Sequence, residues 1–315
     1  MAHWLVVDVS NILFRVWAAQ GKNVDADEHL GLCMHSSFMT IRKWFNKYKP
    51  DKLVFAFEGG NNWRKTYMAK PEAISKIGYK ASRVYDPSMK SLFEMIADFK
   101  ELMQKHSSIA CLSVDECEGD DVIAGFVQMF ADEGTQITIL SGDKDFTQLL
   151  KFPNVKLIDP ATGLDRAVDK KTGERIDPDF YIFEKCFRGD AGDGVASAYP
   201  RILKTKIRKA FEDEAFRINI LNEVLSGPNG EYRVGDKFNE NRILMDLEAQ
   251  PDEIKARMFE SIEQEIGNSG MYSHFHFMRF LGKHKLNSIA ESIASFVDMF
   301  SANQKVVKTN SLLIE

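Results

Sequence analysis

Cysteine is scarce in this chain. There are four in 315 residues, Cys33, Cys111, Cys117 and Cys186, with no CxxC pair and no zinc-like spacing. That excludes a disulfide scaffold and a zinc-finger type of centre, and it fits a reducing cytosol. No apolar run is long enough to span a bilayer, and no signal peptide is expected, because the apolar opening His3–Val7 is short and runs straight into Asp8. Internal repeats and low-complexity tracts are absent as well. Positive charge is also in deficit: 41 Lys and Arg against 46 Asp and Glu give −5, which at first argues against a nucleic-acid partner.

The composition that remains, 44% hydrophobic and 28% charged, is that of an ordinary soluble globular protein. The length suits one large α/β domain with a smaller helical appendage. Leu112 to Leu150 carries the most information. EGDDVIAGFVQMF begins with Glu118, Asp120 and Asp121 at an expected helix start, with Val122, Ile123, Phe126, Val127 and Phe130 as its buried stripe. Ile137 to Leu140 then reads as a buried strand, and Asp143 and Asp145 follow its C-terminal end. In open α/β sheets ligands bind at that edge. Acidic residues at one helix N-terminus are common for dipole reasons alone, so recurrence elsewhere decides the reading.

It does recur. His3–Val7 is a strand ending at Asp8. After a helix over about 29–48, with Leu32, Phe38, Ile41 and Phe45 inward, Lys52 to Phe57 forms a second strand ending at Glu58. Residues 61–86 interleave Trp63, Arg64, Lys65, Tyr67, Lys70, Lys76, Tyr79, Lys80 and Arg83, a composition suited to phosphate neutralisation and base stacking, or to a solvated basic loop. A helix from Pro87 to about His106, strands over 109–114 and 155–158, and a helix over 179–187 lead to RGDAGDGVAS, where Asp190 and Asp193 sit among three glycines. PRILKTKIRKAF follows. As a helix it turns Ile202, Leu203, Ile207 and Phe211 inward and exposes Arg201, Lys204, Lys206, Arg208 and Lys209, a pattern for phosphate-backbone contact or for a solvated face. Helices are expected over 214–225, 238–247, 251–266 and 287–300, with a flexible tail from about 303 and an apolar tip at Leu312–Ile314. Nine acids are thus candidates for one metal site: Asp8, Glu58, Glu118, Asp120, Asp121, Asp143, Asp145, Asp190 and Asp193. Discounting them turns −5 into +4, so the overall balance says little. Their mutual repulsion calls for cations, and all-oxygen clusters suit Mg²⁺ or Mn²⁺.

In order and context, VVDVSN, FAFEGG, EGDDVIAG, SGDKDFTQL and RGDAGDGVAS resemble the motifs of bacteriophage members of the flap endonuclease (5′-nuclease) family, in particular its ribonuclease H and 5′→3′ exonuclease branch of T-even-type phages. The likeness covers roughly residues 3–210, and NWRK and YKASR are similar to the family's basic helical gateway. It implies an α/β fold, a mostly parallel twisted sheet flanked by helices with a helical C-terminal region (PIN-like). It also implies residues 1–195 as the nuclease domain, with the gateway at 61–86, and 196–315 as the helical DNA-binding region. The implied activity is metal-dependent hydrolysis of DNA and RNA–DNA phosphodiesters from 5′ ends and flaps, as in RNA primer removal during phage replication, in the cytoplasm of the infected host. Two Mg²⁺ are implied, Mn²⁺ substituting. Asp8, Glu58, Glu118 and Asp120 hold the first, with Asp143 and Asp145 nearby; Asp190 and Asp193 complete the second, and Asp121 acts through water. Lys80 and Arg64 contact the scissile phosphate, while Lys65, Tyr79 and Arg83 join the five basic residues of 201–209 in nucleic-acid binding. A monomer is expected, with a single-strand-binding protein or sliding clamp as possible replication partners.

Two features depart from the family pattern. Asp usually stands where this chain has Glu58, and AYPRILKTKIRKAF replaces the glycine-rich helix-hairpin-helix, so the resemblance does not carry a potassium-bound DNA clamp over to this chain. The rival readings are a PIN-like ribonuclease, which is shorter and lacks the gateway and late aspartates, and a non-catalytic nucleic-acid-binding relative, which would have lost several ligands.

Overall fold

Five short β-rich runs pair side by side because each is apolar on both faces, the pattern of a sheet covered by helices on either side. In the computed structural model, which describes residues 1–304 except 20–25, 72, 75–77, 84–85, 133, 170–171, 228–229 and 268–269, these are β1 (Ala2–Asp8), β2 (Lys52–Ala56), β3 (Ala110–Leu112), β4 (Thr135–Leu140) and β5 (Val155–Ile158). All pairings are parallel, in the order β3-β2-β1-β4-β5. Lys76 and the tail from 305 lie outside the described residues.

Alternation sorts the side chains. Leu5, Val7, Leu53, Phe55, Cys111 and Leu140 point to one face, where they meet α1 (Val9–Ala19), α2 (Ala26–Tyr48) and α4 (Lys90–His106). Val6, Val54, Ala56, Leu112, Ile137 and Ile139 point to the other, against α5 (Gly119–Phe130) and α10 (Asp252–Gly267). A short α3 (Trp63–Met68) follows β2. A third apolar cluster, holding Phe180, Phe187, Ile207, Ile220 and Val234, joins α6 (Pro178–Arg188), α7 (Lys204–Glu212), α8 (Glu214–Leu221) and α9 (Val234–Met245) into a helical lobe. The chain then returns to the first face: Phe277 of α11 (His274–Lys283), Ile289 of α12 (Asn287–Glu291) and Phe300 of α13 (Val297–Phe300) are buried in the same cluster as Leu5 and Val7.

Several expectations need correcting. Leu32 is 44% exposed, because the buried stripe of α2 runs through Leu30, Cys33, Met34, Ser37, Phe38, Ile41 and Trp44, one position out of phase with it. Leu203 is 70% exposed; it caps α7 in extended conformation instead of lying within it. The helix expected over 214–225 stops at Leu221, and β6 (Val224–Gly227) pairs antiparallel with β7 (Gly230–Arg233). Residues 287–300 are broken into α12, a 3₁₀ turn and α13. Helices α1 and α11 have no counterpart in the expected pattern.

Candidate metal centre and nucleic-acid interface

Strand register brings the first acids together. Val7 pairs with Leu140, so the next residues, Asp8 and Ser141, lie side by side, and the Ser141 hydroxyl donates to Asp8 at 2.8 Å. The Asn11 backbone N–H donates to the other Asp8 oxygen at 3.0 Å. Asp8 is nonetheless 7% exposed, and burial, followed by the charges of Glu58 and Asp143, pushes its carboxyl up to about 7. Glu58 lies two residues beyond β2 and accepts from the Gly119 N–H at 3.0 Å. Crowding by protein and then the charge of Glu118 raise its carboxyl. The residue itself is open to solvent, which weakens that push relative to the one on Asp8.

The start of α5 is a second acidic group. Glu118, Asp120 and Asp121 can bring one oxygen each within 4.8 Å of one another, the one such cluster among the described residues. They differ sharply in surroundings. Asp121 is fully buried and gripped by Arg64 through two hydrogen bonds of 2.6 and 2.7 Å, with Trp63 Nε1 at 3.2 Å, Gln250 Nε2 at 3.1 Å and the Glu118 N–H at 3.1 Å. Burial opposes its charge, but Arg64 outweighs burial and holds its carboxyl below the usual range. Glu118 accepts from Arg64 at 3.2 Å and Tyr79 at 2.8 Å and pairs with Lys80. It too is held low despite burial, by Arg64 and then Lys80. Asp120 accepts only from the Asp121 N–H among the described bonds, at 2.7 Å. Burial and the charges of Glu118 and Asp121 drive its carboxyl well up.

A third group follows β4. Asp143 accepts from the Asp145 N–H at 2.9 Å and is raised by burial and by Asp145. Lys185 of α6 reaches across to both Asp145 oxygens and to Asp190 at 3.1 Å, and Tyr181 donates to Asp145 at 3.1 Å. Asp190 opens a tight turn in which Gly189 has φ 71° and a Cβ would fall 2.3 Å from the Val195 carbonyl, so glycine is required there. Asp193 accepts from Tyr79 at 3.1 Å and Arg83 at 2.5 Å, and its carbonyl receives the Lys80 N–H at 2.8 Å. Tyr79 and Lys80 thus link Glu118 to Asp193, and Lys185 links Asp145 to Asp190.

These bridges correct two expectations. Arg64, expected at the scissile phosphate, is 1% exposed, and its guanidinium is spent on Asp121, Glu118 and the Leu244 carbonyl. It holds the site from within. Tyr79, expected as a stacking platform, is buried with its hydroxyl on Glu118 and Asp193, and Trp63 is buried beside it. A basic, aromatic segment is turned inward because the carboxylates need counter-charge more than the surface does. Lys65 and Arg83 remain exposed. So do Arg201, Lys204 and Lys209, while Lys206 and Arg208 are half-buried against Tyr199 and Phe180. Residues the sequence reading passed over are Ser141, Tyr181, Lys185 and Gln250. The placing of Ser141 beside Asp143, and of Lys185 five residues before Asp190, was the available signal.

The donor set fits divalent cations. It is all oxygen, and at Asp8, Glu58, Asp120 and Asp143 burial first, and neighbouring acids after it, raise the carboxyls, so a bound cation would favour their charged forms. Thiol chemistry does not compete: all four cysteines are buried, and burial pushes Cys117, beside Asp121, up to about 12.

A carboxylate-lined C-terminal edge on a parallel α/β sheet, with a basic segment folded over it, defines a nuclease-like class of domain. Residues 3–180 match the model of the 5′-3′ exonuclease N-terminal resolvase-like domain, and the chain belongs to that family. It is 32% identical over 162 residues to the ribonuclease H of Enterobacteria phage T4, covering 47% of this chain and 48% of that protein. It is 30% identical over 157 residues to the flap endonuclease Xni of Shewanella piezotolerans, covering 50% and 55%. The chain thus spans about half the length of the curated relatives it matches. In fold it superposes on a bacteriophage T5 flap endonuclease, solved with DNA and metal ions, with a TM-score of 0.57 at 19% identity over 84% of this chain and all of that one. No described helix is long and apolar enough to cross a membrane.

Proposed function

We propose that this chain is a metal-dependent 5′ nuclease, a 5′→3′ exonuclease and flap endonuclease acting on DNA and RNA–DNA duplexes, with RNA primer removal in phage replication as its setting. The observation that carries the reading is the gathering of carboxylates at the C-terminal sheet edge, from Asp8 beside Ser141 to the Glu118, Asp120 and Asp121 cluster, within a family of 5′-3′ exonucleases. Asp8, Glu58, Glu118 and Asp120 would hold one Mg²⁺, with Asp143 and Asp145 nearby, and Asp190 and Asp193 would complete the second site. When bound, two such ions supply an activated water and stabilise the leaving oxygen. The chain's own groups do the rest. Lys80 neutralises the scissile phosphate, Arg64 fixes Asp121 and Glu118, and Ser141 orients Asp8. Residues 1–195 supply this chemistry, and the basic face of α7 in the region from 196 onward grips duplex backbone, with Lys65 and Arg83 at the gateway. We place the protein in the host cytoplasm as a monomer, meeting a single-strand-binding protein or clamp at the fork.

The test is cleavage of 5′-labelled flap, nicked and RNA-primed duplexes with and without Mg²⁺, for the parent and for Asp143→Asn/Asp145→Asn. Turnover should fall by orders of magnitude in the variant while its melting point is kept. Equal turnover in both proteins refutes the metal-site reading.

A further inference from the structure

A helix that packs against a core normally turns an apolar stripe inward. The buried face of α9 instead carries Lys237, Glu240 and Asn241 among its apolar residues. Buried polar groups persist where they are hydrogen-bonded, so the partners of these three show what the helix holds. Glu240 pairs with Lys237 and accepts the Ile74 backbone N–H of the gateway at 2.7 Å. Asn241 is fully buried, and its Nδ2 donates to the carbonyls of Cys186 and Ala196, both at 2.9 Å. Those carbonyls bracket the turn of Asp190 and Asp193, whose neck is closed by two backbone bonds of 2.8 Å between Asp190 and Val195. One turn further along α9, the Leu244 carbonyl receives Arg64 Nε at 2.7 Å, and Arg64 in turn holds Asp121 and Glu118.

The chain leaving α9 continues the pattern. Gln148, in the 3₁₀ turn that Asp145 opens, donates to the Met245 carbonyl at 3.3 Å and accepts the Leu247 N–H at 2.8 Å. Gln250 donates to the Leu247 carbonyl at 2.6 Å and to Asp121 at 3.1 Å. Residues 240–250 are therefore bonded to the gateway, to the turn of Asp145, to the turn of Asp190 and Asp193, and to Asp121, although the family match ends at residue 180. Adhesion alone does not call for this. Phe238 already packs on Phe187 and Phe183, with ring centroids 4.8 and 5.4 Å apart. Apolar contact of that kind has no direction, whereas an amide with both hydrogens committed fixes distance and rotation. The amides are also neutral. A lysine or arginine in their place would offset carboxylate charge and compete with a divalent cation.

We propose that Asn241 and Gln148 are positioning residues of the metal centre. Their amides set the distance of the Asp190–Asp193 turn and of the Asp145 turn from the Glu118–Asp121 group, and with it the spacing at which cations are held. This rests on the metal-site reading and deepens it.

The experiment titrates Mn²⁺ into the full chain, following free ion by electron paramagnetic resonance, with melting points in EDTA and the Mg²⁺ dependence of flap cleavage alongside. The proteins are the parent, Asn241→Ala, Gln148→Met and, as a control, Met103→Ala, which truncates a sealed side chain in the cluster of Leu5 and Val7, a cluster α9 does not join. Loss of a group that orients a metal ligand typically weakens metal binding about 10- to 100-fold. Asn241→Ala and Gln148→Met should each weaken at least one Mn²⁺ binding event about tenfold, and their cleavage should recover in part as Mg²⁺ is raised. Met103→Ala should lose melting point and bind Mn²⁺ as the parent does. Gln148→Met nearly conserves volume, so it decides the matter if Asn241→Ala does not fold. A variant of Asn241 or Gln148 that folds and binds Mn²⁺ like the parent overturns the proposal. So does failure of both to fold, or an equal shift in Met103→Ala, because affinity would then merely follow stability. A parent whose Mn²⁺ binding is untouched by Asp143→Asn/Asp145→Asn overturns the metal-site reading itself.

Discussion

Replacing Arg64 by Met tests whether this arginine serves the substrate or the fold. Both partners of the Arg64–Asp121 pair are essentially sealed, 1% and 0% exposed, and joined by two short hydrogen bonds. Removing the cation strands the Asp121 carboxylate in the interior, which typically costs about 3–5 kcal/mol. Against a total stability of roughly 5–15 kcal/mol that is at least about a fifth of the whole. Urea unfolding should show a midpoint lowered by that free energy divided by the m-value. Arg64→Met/Asp121→Asn should recover much of it, giving a coupling energy of at least about 2 kcal/mol in the double-mutant cycle. Cleavage should fall only in proportion to the site's loss of order and should be partly restored in the double variant. If Arg64→Met unfolds at the parent's midpoint yet loses flap affinity and turnover, Arg64 reaches phosphate after all and the inward assignment is refuted.

Three more tests address the remaining charges. Because the folded-state carboxyl of Asp8 is raised to about 7 from its ordinary value of 3.8, the metal-free protein should lose stability as pH rises from about 4 to 7, by up to roughly 4 kcal/mol from this group. Melting points in EDTA should show the loss, Asp8→Asn should flatten it, and stabilisation by Mg²⁺ should grow over the same window; a rise of metal-free stability with pH that Asp8→Asn removes contradicts the assignment. Lys185→Met strips the cation shared by Asp145 and Asp190, so its melting point should drop in EDTA and recover disproportionately with Mg²⁺, whereas an unchanged EDTA melting point would mean Lys185 balances nothing. Changing Lys204, Lys206, Arg208 and Lys209 to Ala should weaken binding equally on all sequences and flatten the salt dependence by roughly 0.9 for each phosphate no longer neutralised, and an unaltered slope would make α7 a solvated face.

The strands β1, β2, β4 and β5 were legible because their apolar runs are short, carry Val or Ile, and reach an acid at or within three residues of their ends. The edge they build was legible for the same reason, and Val155–Ile158 matches its expected bounds. The direction of the basic gateway was not. Trp63, Arg64 and Tyr79 read equally well as a DNA-facing surface, and only the packing of Met68, Tyr79, Val195, Leu244 and Met245 into one cluster turns the segment inward. One hint was available: three acids in four residues at a buried helix start demand a buried cation, and Arg64 was in reach. The hairpin β6–β7 was missed although Pro228-Asn229-Gly230 marks a turn, because the apolar spacing of 214–225 suggested continued helix. Helix α11 was missed because HFHFMRFL mixes histidines and exposed Phe275 and Met278 with its buried Phe277, Phe280 and Leu281, which blurs the period.

The match to the exonuclease family ends at residue 180, but the apolar cluster holding Leu5 and Val7 is finished by Phe277, Phe296 and Phe300. Phe38 alone packs against both Phe296 and Phe300. A ribosome emits the catalytic strands first and must release almost three hundred residues before their inner face is sealed. Sheet pairing itself is already non-local, β1 joining β4 across more than a hundred residues. The family segment is therefore a unit of descent whose acidic site and whose inner core both draw on residues beyond it. Cutting the chain before α11 should leave it collapsed around an open face and prone to aggregate, with every proposed metal ligand still present in the sequence.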